Sequence, residues 1–165
     1  MSTTKSISFS YKEFDNYEEL GTDDYDMVNA AREAARNAYA PYSGFRVGAA
    51  VRLESGVLIR GTNVENAAFP SGICAERSAL SNSVSNHPDD KPVAIAIAAM
   101  TEEEFTDEPV PPCGNCRQVI AEEELRNGKQ IRLILSGKKK VIVIDKCSHL
   151  LPLQFNKNNL ISNLP

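Results

Sequence analysis

Apolar residues along this chain follow two periods, one typical of strands and one typical of helices. Two strand-like runs, 45–53 and 57–61, flank the turn residues Glu54-Ser55-Gly56 and predict a hairpin. Further strands are predicted over 93–99, 131–135 and 141–144, and helices over 23–38, 74–84 and 113–126. This order of elements indicates a mixed α/β sheet with helices packed on it.

The start of the chain carries weaker signals. In the N-terminal extension, residues 1–22, the apolar Ile7, Phe9 and Tyr11 alternate with polar residues, which predicts an edge strand. Thr22 is expected to cap the first helix, because its hydroxyl can accept a hydrogen bond from a free N–H group of the first turn.

Charge and hydropathy exclude two classes of partner. The 165 residues include 18 Lys and Arg against 22 Asp and Glu, a formal charge of −4, which disfavours binding to nucleic acid. The acidic segment 101–108 is interpreted as a solvated loop. The longest apolar run, Val93–Met100, is far shorter than the roughly 20 residues of a membrane-spanning helix, so no membrane span is expected.

Four cysteines remain to be explained. No apolar stretch of signal-peptide length begins the sequence, so we expect a reducing cytoplasm, where disulfides are rare. Cys74 and Glu76 open one predicted helix, and Cys113 and Cys116 open another. Free N–H groups at a helix N-terminus lower the pKa of a thiol, and the Cys-x-x-Cys spacing lets two sulfurs reach one tetrahedral zinc ion.

The cysteine pattern has more than one interpretation. A Cys-x-x-Cys pair also occurs in redox sites and in closed structural zinc sites, for which Cys147 or His149 offers a fourth ligand in a protein that is not an enzyme. Glu76 favours catalysis, because a carboxylate beside a three-ligand zinc can act as general acid and base. Zinc nucleobase deaminases share this order of Cys or His, a Glu two residues later, and Pro-Cys-x-x-Cys.

Five stretches occur in a characteristic order: Tyr39-Ala-Pro-Tyr-Ser, Phe45-Arg-Val-Gly-Ala-Ala, Asn63-Val-Glu-Asn-Ala, Cys74-Ala-Glu-Arg and Pro112-Cys-Gly-Asn-Cys-Arg-Gln-Val. Together they resemble cytidine deaminases of the small, three-cysteine, homotetrameric kind, over residues 23 to 155. The resemblance implies a three-layer α/β/α fold with a mixed, about five-stranded sheet. It also implies hydrolytic deamination of cytidine and deoxycytidine by a catalytic domain, 23–157, followed by a C-terminal tail, 158–165.

The resemblance implies a role for each candidate site residue. One zinc ion per subunit would be held by Cys74, Cys113 and Cys116, leaving the fourth position for water, and Glu76 would be the catalytic acid and base. The nucleoside would be contacted by Phe45, Asn63, Glu65 and Ala75, and by Phe155 of an adjacent subunit of a homotetramer. Two residues beside the ligands would support them, Arg77 and Gln118.

Several of these positions have a second interpretation. Arg117 competes with Arg77 for a place beside the thiolates, and Phe45 also suits an ordinary core position. Asn66 suits a loop residue that binds its own backbone. Phe155 ends a Leu-Leu-Pro-x-x-Phe segment that also suits C-terminal packing, although such exposed apolar segments usually mark interfaces.

The choice of substrate has alternatives too. A deaminase of another aminopyrimidine, such as a blasticidin-type nucleoside antibiotic, shares the zinc motifs, but the intact stretch from Asn63 to Glu65 disfavours it. The carboxylate of Glu65 would also repel phosphate, so a free nucleoside is the expected substrate.

Overall fold

A mixed sheet forms the centre of the molecule, with helices on both faces. In the computed structural model, which describes residues 2–161, the strands are β1 (Lys12–Phe14), β2 (Arg46–Leu53), β3 (Leu58–Thr62), β4 (Pro92–Thr101), β5 (Glu104–Phe105), β6 (Arg132–Ser136) and β7 (Val141–Ile144). The helices are α1 (Thr22–Arg36), α2 (Ala75–Asn86), α3 (Gly114–Asn127) and α4 (Lys157–Ile161). Single 3-10 turns span Tyr17–Glu19, Phe69–Ser71 and Cys147–Leu150.

The strands pair in the order β1-β7-β6-β4-β2-β3, and β5 pairs with β4. Strand β2 is antiparallel to both β3 and β4, so β3 and β4 point the same way. Strand β6 is parallel to β4, so β3, β4 and β6 all share one direction. Helix α2 lies between β3 and β4 in the sequence, and α3 lies between β4 and β6. Both helices therefore cross over between parallel strands, and their N-termini lie at the same edge of the sheet.

The alternation of side chains along β2 and β4 divides the core between the two faces of the sheet. On one face, small residues let α1 lie close, among them Ala50, Ala94, Ala96 and Ala98. On the other face, Ile95 and Ile97 pack with residues of α2 and α3, including Ala79, Leu80 and Ile120. The predicted three-layer α/β/α fold is confirmed, with seven strands within residues 2–161 rather than about five.

Helix α2 lies directly on strand β3 at Gly61. A Cβ atom on Gly61 would lie 2.4 Å from the backbone nitrogen of Ala79 and 2.6 Å from the carbonyl oxygen of Ala75. The helix approaches this closely only because residue 61 has no side chain. The contact fixes the distance between α2 and the sheet, and the first turn of α2 carries Glu76.

Two predictions for the N-terminal extension are wrong in detail. The edge strand is Lys12–Phe14 rather than 7–11, because its partner β7 ends at Ile144 and the antiparallel register places residues before Tyr11 beyond that end. The cap of α1 is Gly21 rather than Thr22, which is already the first residue of the helix.

The acidic segment 101–108 is a hairpin rather than a solvated loop. Its strand β5 pairs with the end of β4, and Phe105 packs against the core on the α1 face, where the guanidinium of Arg32 lies 4.6 Å from its ring centroid. Lys138 and Lys139 form ion pairs with Glu104 and Asp107, at 2.9 and 2.5 Å. These contacts hold the chain that leads into the second cysteine motif.

No helix within residues 2–161 is long and apolar enough to cross a membrane. The predicted tail, 158–165, is described only as far as Ile161, and residues 162–165, like Met1, lie outside the described residues.

A buried carboxylate joins α3 to the strand and the turn that follow it. Glu124 is 9% exposed. Its Oε1 accepts hydrogen bonds from the backbone N–H groups of Ile131 (2.8 Å) and Cys147 (3.0 Å), and its Oε2 accepts one from Ser148 (3.1 Å). One side chain thus provides the acceptor for three backbone donors near the core.

Replacing Glu124 by alanine should lower the free energy of unfolding by about 3 kcal/mol, because three N–H groups lose their acceptor. The control is Glu122→Ala, at an exposed position of the same helix, which should change it by less than about 0.5 kcal/mol. Urea unfolding at matched subunit concentration, followed by circular dichroism, measures both. Equal effects of the two substitutions would contradict the anchoring role of Glu124.

Candidate active site

Three cysteines meet where the N-termini of α2 and α3 converge. Cys74 is the N-cap residue of α2, Cys113 is the N-cap residue of α3, and Cys116 lies in the first turn of α3. Their sulfur atoms all lie within 4.8 Å of one another. A tetrahedral zinc ion with Zn–S bonds of about 2.3 Å requires sulfurs about 3.8 Å apart, so the three thiols fit a zinc ion.

Neither candidate fourth ligand belongs to this cluster. The Cys147 thiol lies 3.9 Å from the carbonyl oxygen of Arg117, and the His149 ring stacks on Phe9 with 5.6 Å between centroids. Within the described residues, the group is therefore a three-thiol site, which suits a catalytic zinc better than a closed structural one.

The expected lowering of thiol pKa holds for only one of the three cysteines. Burial raises the pKa of Cys74 and of Cys116. Burial also opposes ionisation of Cys113, but hydrogen bonds from the backbone N–H and thiol of Cys116, among others, bring the pKa of Cys113 below its usual value. Three thiolates this close repel one another, so all three thiols ionise together only when a cation is bound between them.

Glu76 lies beside the thiols in the first turn of α2 and is only 5% exposed. Burial raises the pKa of its carboxyl, against smaller opposing effects of its own backbone N–H, the Cys116 thiol and the charge of Arg77. A buried carboxyl with a raised pKa next to a metal-binding cluster is typical of a general acid and base.

The cluster opens into a cavity of about 430 Å³. Its lining is mainly apolar, with a few polar groups, as in most small-molecule sites. Four predicted site residues outside the thiol cluster line it together with Glu76: Phe45, Asn63, Glu65 and Ala75. Asn66 also lines it, and its side chain caps its own loop at Ala68 N (2.8 Å).

The two polar residues predicted to hold the sugar already bind the chain itself. Asn63 Oδ1 accepts from Val47 N (2.7 Å) and its Nδ2 donates to Phe45 O (2.9 Å). The Glu65 carboxylate accepts three hydrogen bonds from Tyr42 and Ser43, which lower the pKa of Glu65. These bonds hold segment 42–47 along the rim of the cavity.

Of the predicted residues outside the thiol cluster, three do not line the cavity. Phe155 is 58% exposed, and its carbonyl oxygen accepts a hydrogen bond from Gln118 Nε2 (2.9 Å). Arg77 Nη2 donates to Gly72 O (3.4 Å). The competing Arg117 bridges Pro112 O (2.8 Å), next to Cys113, and Leu150 O (3.1 Å).

Sequence reasoning missed part of the apolar wall. Val47, Ile97, Val110 and Pro111 line the cavity, and the exposed ring of Phe69 stands at its rim. Val110 and Pro111 could have been found from their position next to the second cysteine motif. Ile97 could not, because alternation along a strand that is buried on both faces does not show which face meets a ligand.

Comparison with known proteins identifies the family. The family model described as the cytidine and deoxycytidylate deaminase zinc-binding region matches residues 22–128. A cytidine deaminase from Halalkalibacterium halodurans is 48% identical over 96 residues, 58% of this chain and 68% of the relative. One from Sporosarcina psychrophila is 40% identical over 134 residues, 81% of this chain and 92% of the relative.

The crystal structure of cytidine deaminase from Burkholderia pseudomallei superposes with a TM-score of 0.66 at 36% identity, covering 79% of this chain and 98% of that one. The family match spans more than half of the residues and contains all three clustered cysteines and Glu76. The chain therefore belongs to the cytidine and deoxycytidylate deaminase family, which is defined by this zinc-binding region.

Proposed function

We propose that the protein catalyses the zinc-dependent hydrolytic deamination of cytidine and 2′-deoxycytidine to uridine and 2′-deoxyuridine, with release of ammonia, in pyrimidine salvage. The observation that carries the proposal is the convergence of three thiols and one buried carboxyl at a cavity. Membership of the family and the names of the relatives support it.

The metal site would contain one zinc ion per subunit, held by Cys74, Cys113 and Cys116. When bound, zinc supplies a Lewis acid that lowers the pKa of water toward neutrality, so that a nucleophile is available at physiological pH. The positive ends of the α2 and α3 dipoles offset part of the negative charge of the three thiolates.

Glu76 would move the protons of the reaction. Its carboxylate accepts a proton from the attacking water, donates one to N3 of the cytosine ring, and passes one to the amine that leaves C4. Atoms balance, since water contributes its oxygen to C4, one proton to N3 and the other proton to the NH2 group, which leaves as ammonia. Burial favours the neutral acid, which suits a group that must hold a proton during the reaction.

The remaining cavity residues would bind the nucleoside. Phe45 and Ala75 offer apolar contacts to the base, and Asn63 and Glu65 offer an amide and a carboxylate to the sugar hydroxyls. Because the pKa of Glu65 is lowered, the carboxylate is ionised at neutral pH and repels phosphate, which favours free nucleosides over nucleotides.

Two residues near the ligands would have supporting roles. Arg77 follows Glu76 directly, and its positive charge would balance the thiolates. Gln118 follows Arg117 on α3 and anchors the carbonyl oxygen of Phe155. The proposed location is a reducing cytoplasm, where thiols stay available as metal ligands.

The active unit would be a homotetramer in which Phe155 reaches the cavity of a neighbouring subunit. The side chain is 58% exposed, whereas its backbone is fixed to α3 through Gln118. An exposed aromatic ring on an anchored segment suits an interface between copies.

Glu76→Gln should reduce kcat for cytidine by about 10³-fold, because the amide cannot exchange protons with water or N3. Zinc content should stay near that of the wild-type protein. Loss of cytosine absorbance measures the rate, and Glu18→Gln, at an exposed position, is the matched control. Activity of Glu76→Gln equal to that of the control would refute the proton-transfer role.

The alternative substrate class is tested by assaying the wild-type protein with blasticidin S in place of cytidine.

Serine substitution at Cys74, Cys113 or Cys116 should lower zinc content by more than about tenfold, since each removes one of three ligands. Cys147→Ser is the matched control and should retain the metal, because its thiol lies outside the cluster. Elemental analysis of purified protein gives the stoichiometry. Zinc loss in Cys147→Ser would instead indicate a closed four-ligand site.

Mixing two weakly active variants tests the role of Phe155. Glu76→Gln lacks the acid and base, and Phe155→Ala lacks the ring, so each assembled alone should be weakly active. If the ring acts in a neighbouring subunit, refolding the two together should restore activity well above either parent, because a hybrid contains intact sites. No gain in hybrids whose mixed composition is confirmed by mass spectrometry would place the ring in its own subunit or outside the site.

A further inference from the structure

The carboxylate of Glu65 is held by a single turn of the chain. Oε2 accepts hydrogen bonds from the backbone N–H groups of Tyr42 (2.9 Å) and Ser43 (3.2 Å), and Oε1 accepts one from the hydroxyl of Ser43 (2.5 Å). Glu65 lines the cavity, whereas Ser43 is exposed and does not. Ser43 therefore acts on the carboxylate from outside the site.

The hydroxyl of Ser43 is itself fixed. Its oxygen accepts a hydrogen bond from the backbone N–H of Phe45 (3.0 Å) while it donates to Glu65. Gly44, with φ of +66°, provides the left-handed backbone that this turn requires. The turn thus places two donors of one residue on both carboxylate oxygens.

These bonds determine which part of the carboxylate is left for a ligand. An ionised carboxylate has about four acceptor positions, and three of them are occupied here. The remaining position is on Oε1, the oxygen that carries only the Ser43 hydroxyl bond. A carboxylate in this state can accept one hydroxyl from a ligand in a defined direction.

The same bonds lower the pKa of Glu65, chiefly through the Ser43 hydroxyl. The other ionisable groups of this region are Tyr39, Tyr42 and Arg46 on the adjoining segment, and Glu76 and the clustered thiols at the same cavity. Arg46 is paired with Glu103 (2.7 Å). None of the salt bridges among the described residues involves Glu65. Its charge is thus stabilised by hydrogen bonds rather than by a cation.

We infer that Ser43 is a positioning residue that aims the carboxylate of Glu65 at a sugar hydroxyl of the nucleoside and so determines selectivity for an intact sugar. The inference rests on the proposed function and deepens it. A site built to bind a substrate hydroxyl discriminates strongly against an analogue without it. Misalignment of Glu65 should weaken that discrimination rather than the chemistry at the base.

The test compares kcat/KM for cytidine with kcat/KM for 2′,3′-dideoxycytidine. In Ser43→Ala the ratio should fall about tenfold, mainly through a higher KM for cytidine, because one hydrogen bond to a charged group is lost. Ser43→Thr, which keeps the hydroxyl, should restore most of the ratio. If Ser43→Ala does not fold, Ser43→Cys removes the strong donor with little change in size.

The hairpin between β2 and β3 provides a matched control. Ser55 donates through both its N–H and its hydroxyl to the carboxylate of Asp90, and Val57 N donates to the Ser55 hydroxyl at 3.4 Å, so the same motif occurs away from the cavity. Ser55→Ala should leave the ratio unchanged. A fall in the ratio as large as that of Ser43→Ala would overturn the assignment.

The pH dependence of KM gives a second readout. Ser43 lowers the pKa of Glu65, so its loss raises that pKa, and KM for cytidine should begin to rise at a higher pH as the solution is acidified. KM for dideoxycytidine should keep its profile. Equal losses on both substrates, with an active wild-type protein, would overturn the positioning role alone. A zinc-loaded wild-type protein that deaminates neither substrate would overturn the proposed function and this role with it.

Discussion

The common direction of three strands is the constraint on which the site depends. Because β3, β4 and β6 are parallel, the two crossover helices α2 and α3 begin at one edge of the sheet and on one face of it. Cysteines 39 residues apart in sequence, Cys74 and Cys113, thereby become neighbours. The contact of α2 with Gly61 then fixes how far Glu76, beside these cysteines, lies from the sheet. A left-handed crossover at either helix would place that helix on the opposite face of the sheet and so separate the thiols.

The sequence predicted the features that depend on local signals. Cysteine motifs at predicted helix starts indicated the thiol cluster, and short apolar runs beside turn residues indicated most strands. Features that depend on distant partners were missed, because periodicity does not specify pairing. The N-terminal strand is displaced to Lys12–Phe14 by the end of β7, and the acidic hairpin forms because Phe105 finds a place in the core against the α1 layer. The spacing of Asn63 and Glu65 indicated polar groups at the site, but not that both would already be bonded to segment 42–47.

Asn63 and Glu65 line the cavity and also bond to segment 42–47, which affects how a ligand binds. The side chains that are proposed to meet the sugar also fix the backbone around them, so their orientation exists before a ligand arrives. Little conformational entropy then remains to be lost on binding. Phe45, Val47 and Ile97, which form part of the apolar wall, are equally fixed, because they lie on strands β2 and β4 or directly before β2. Rigidity at this rim is therefore a property of the hydrogen bonds as much as of the sheet.

The proximity of Cys74 and Cys113 also affects the conformational entropy of the unfolded chain. A metal shared by these two residues closes a covalently continuous ring that contains α2, β4 and the acidic hairpin. If such a link is treated like a disulfide over the same span, it removes chain entropy from the unfolded state equivalent to about 4 kcal/mol. Metal binding and folding are then coupled, because the unfolded chain has no preformed site. The bound ion would therefore stabilise the same segment of sheet and helix that presents it to the substrate.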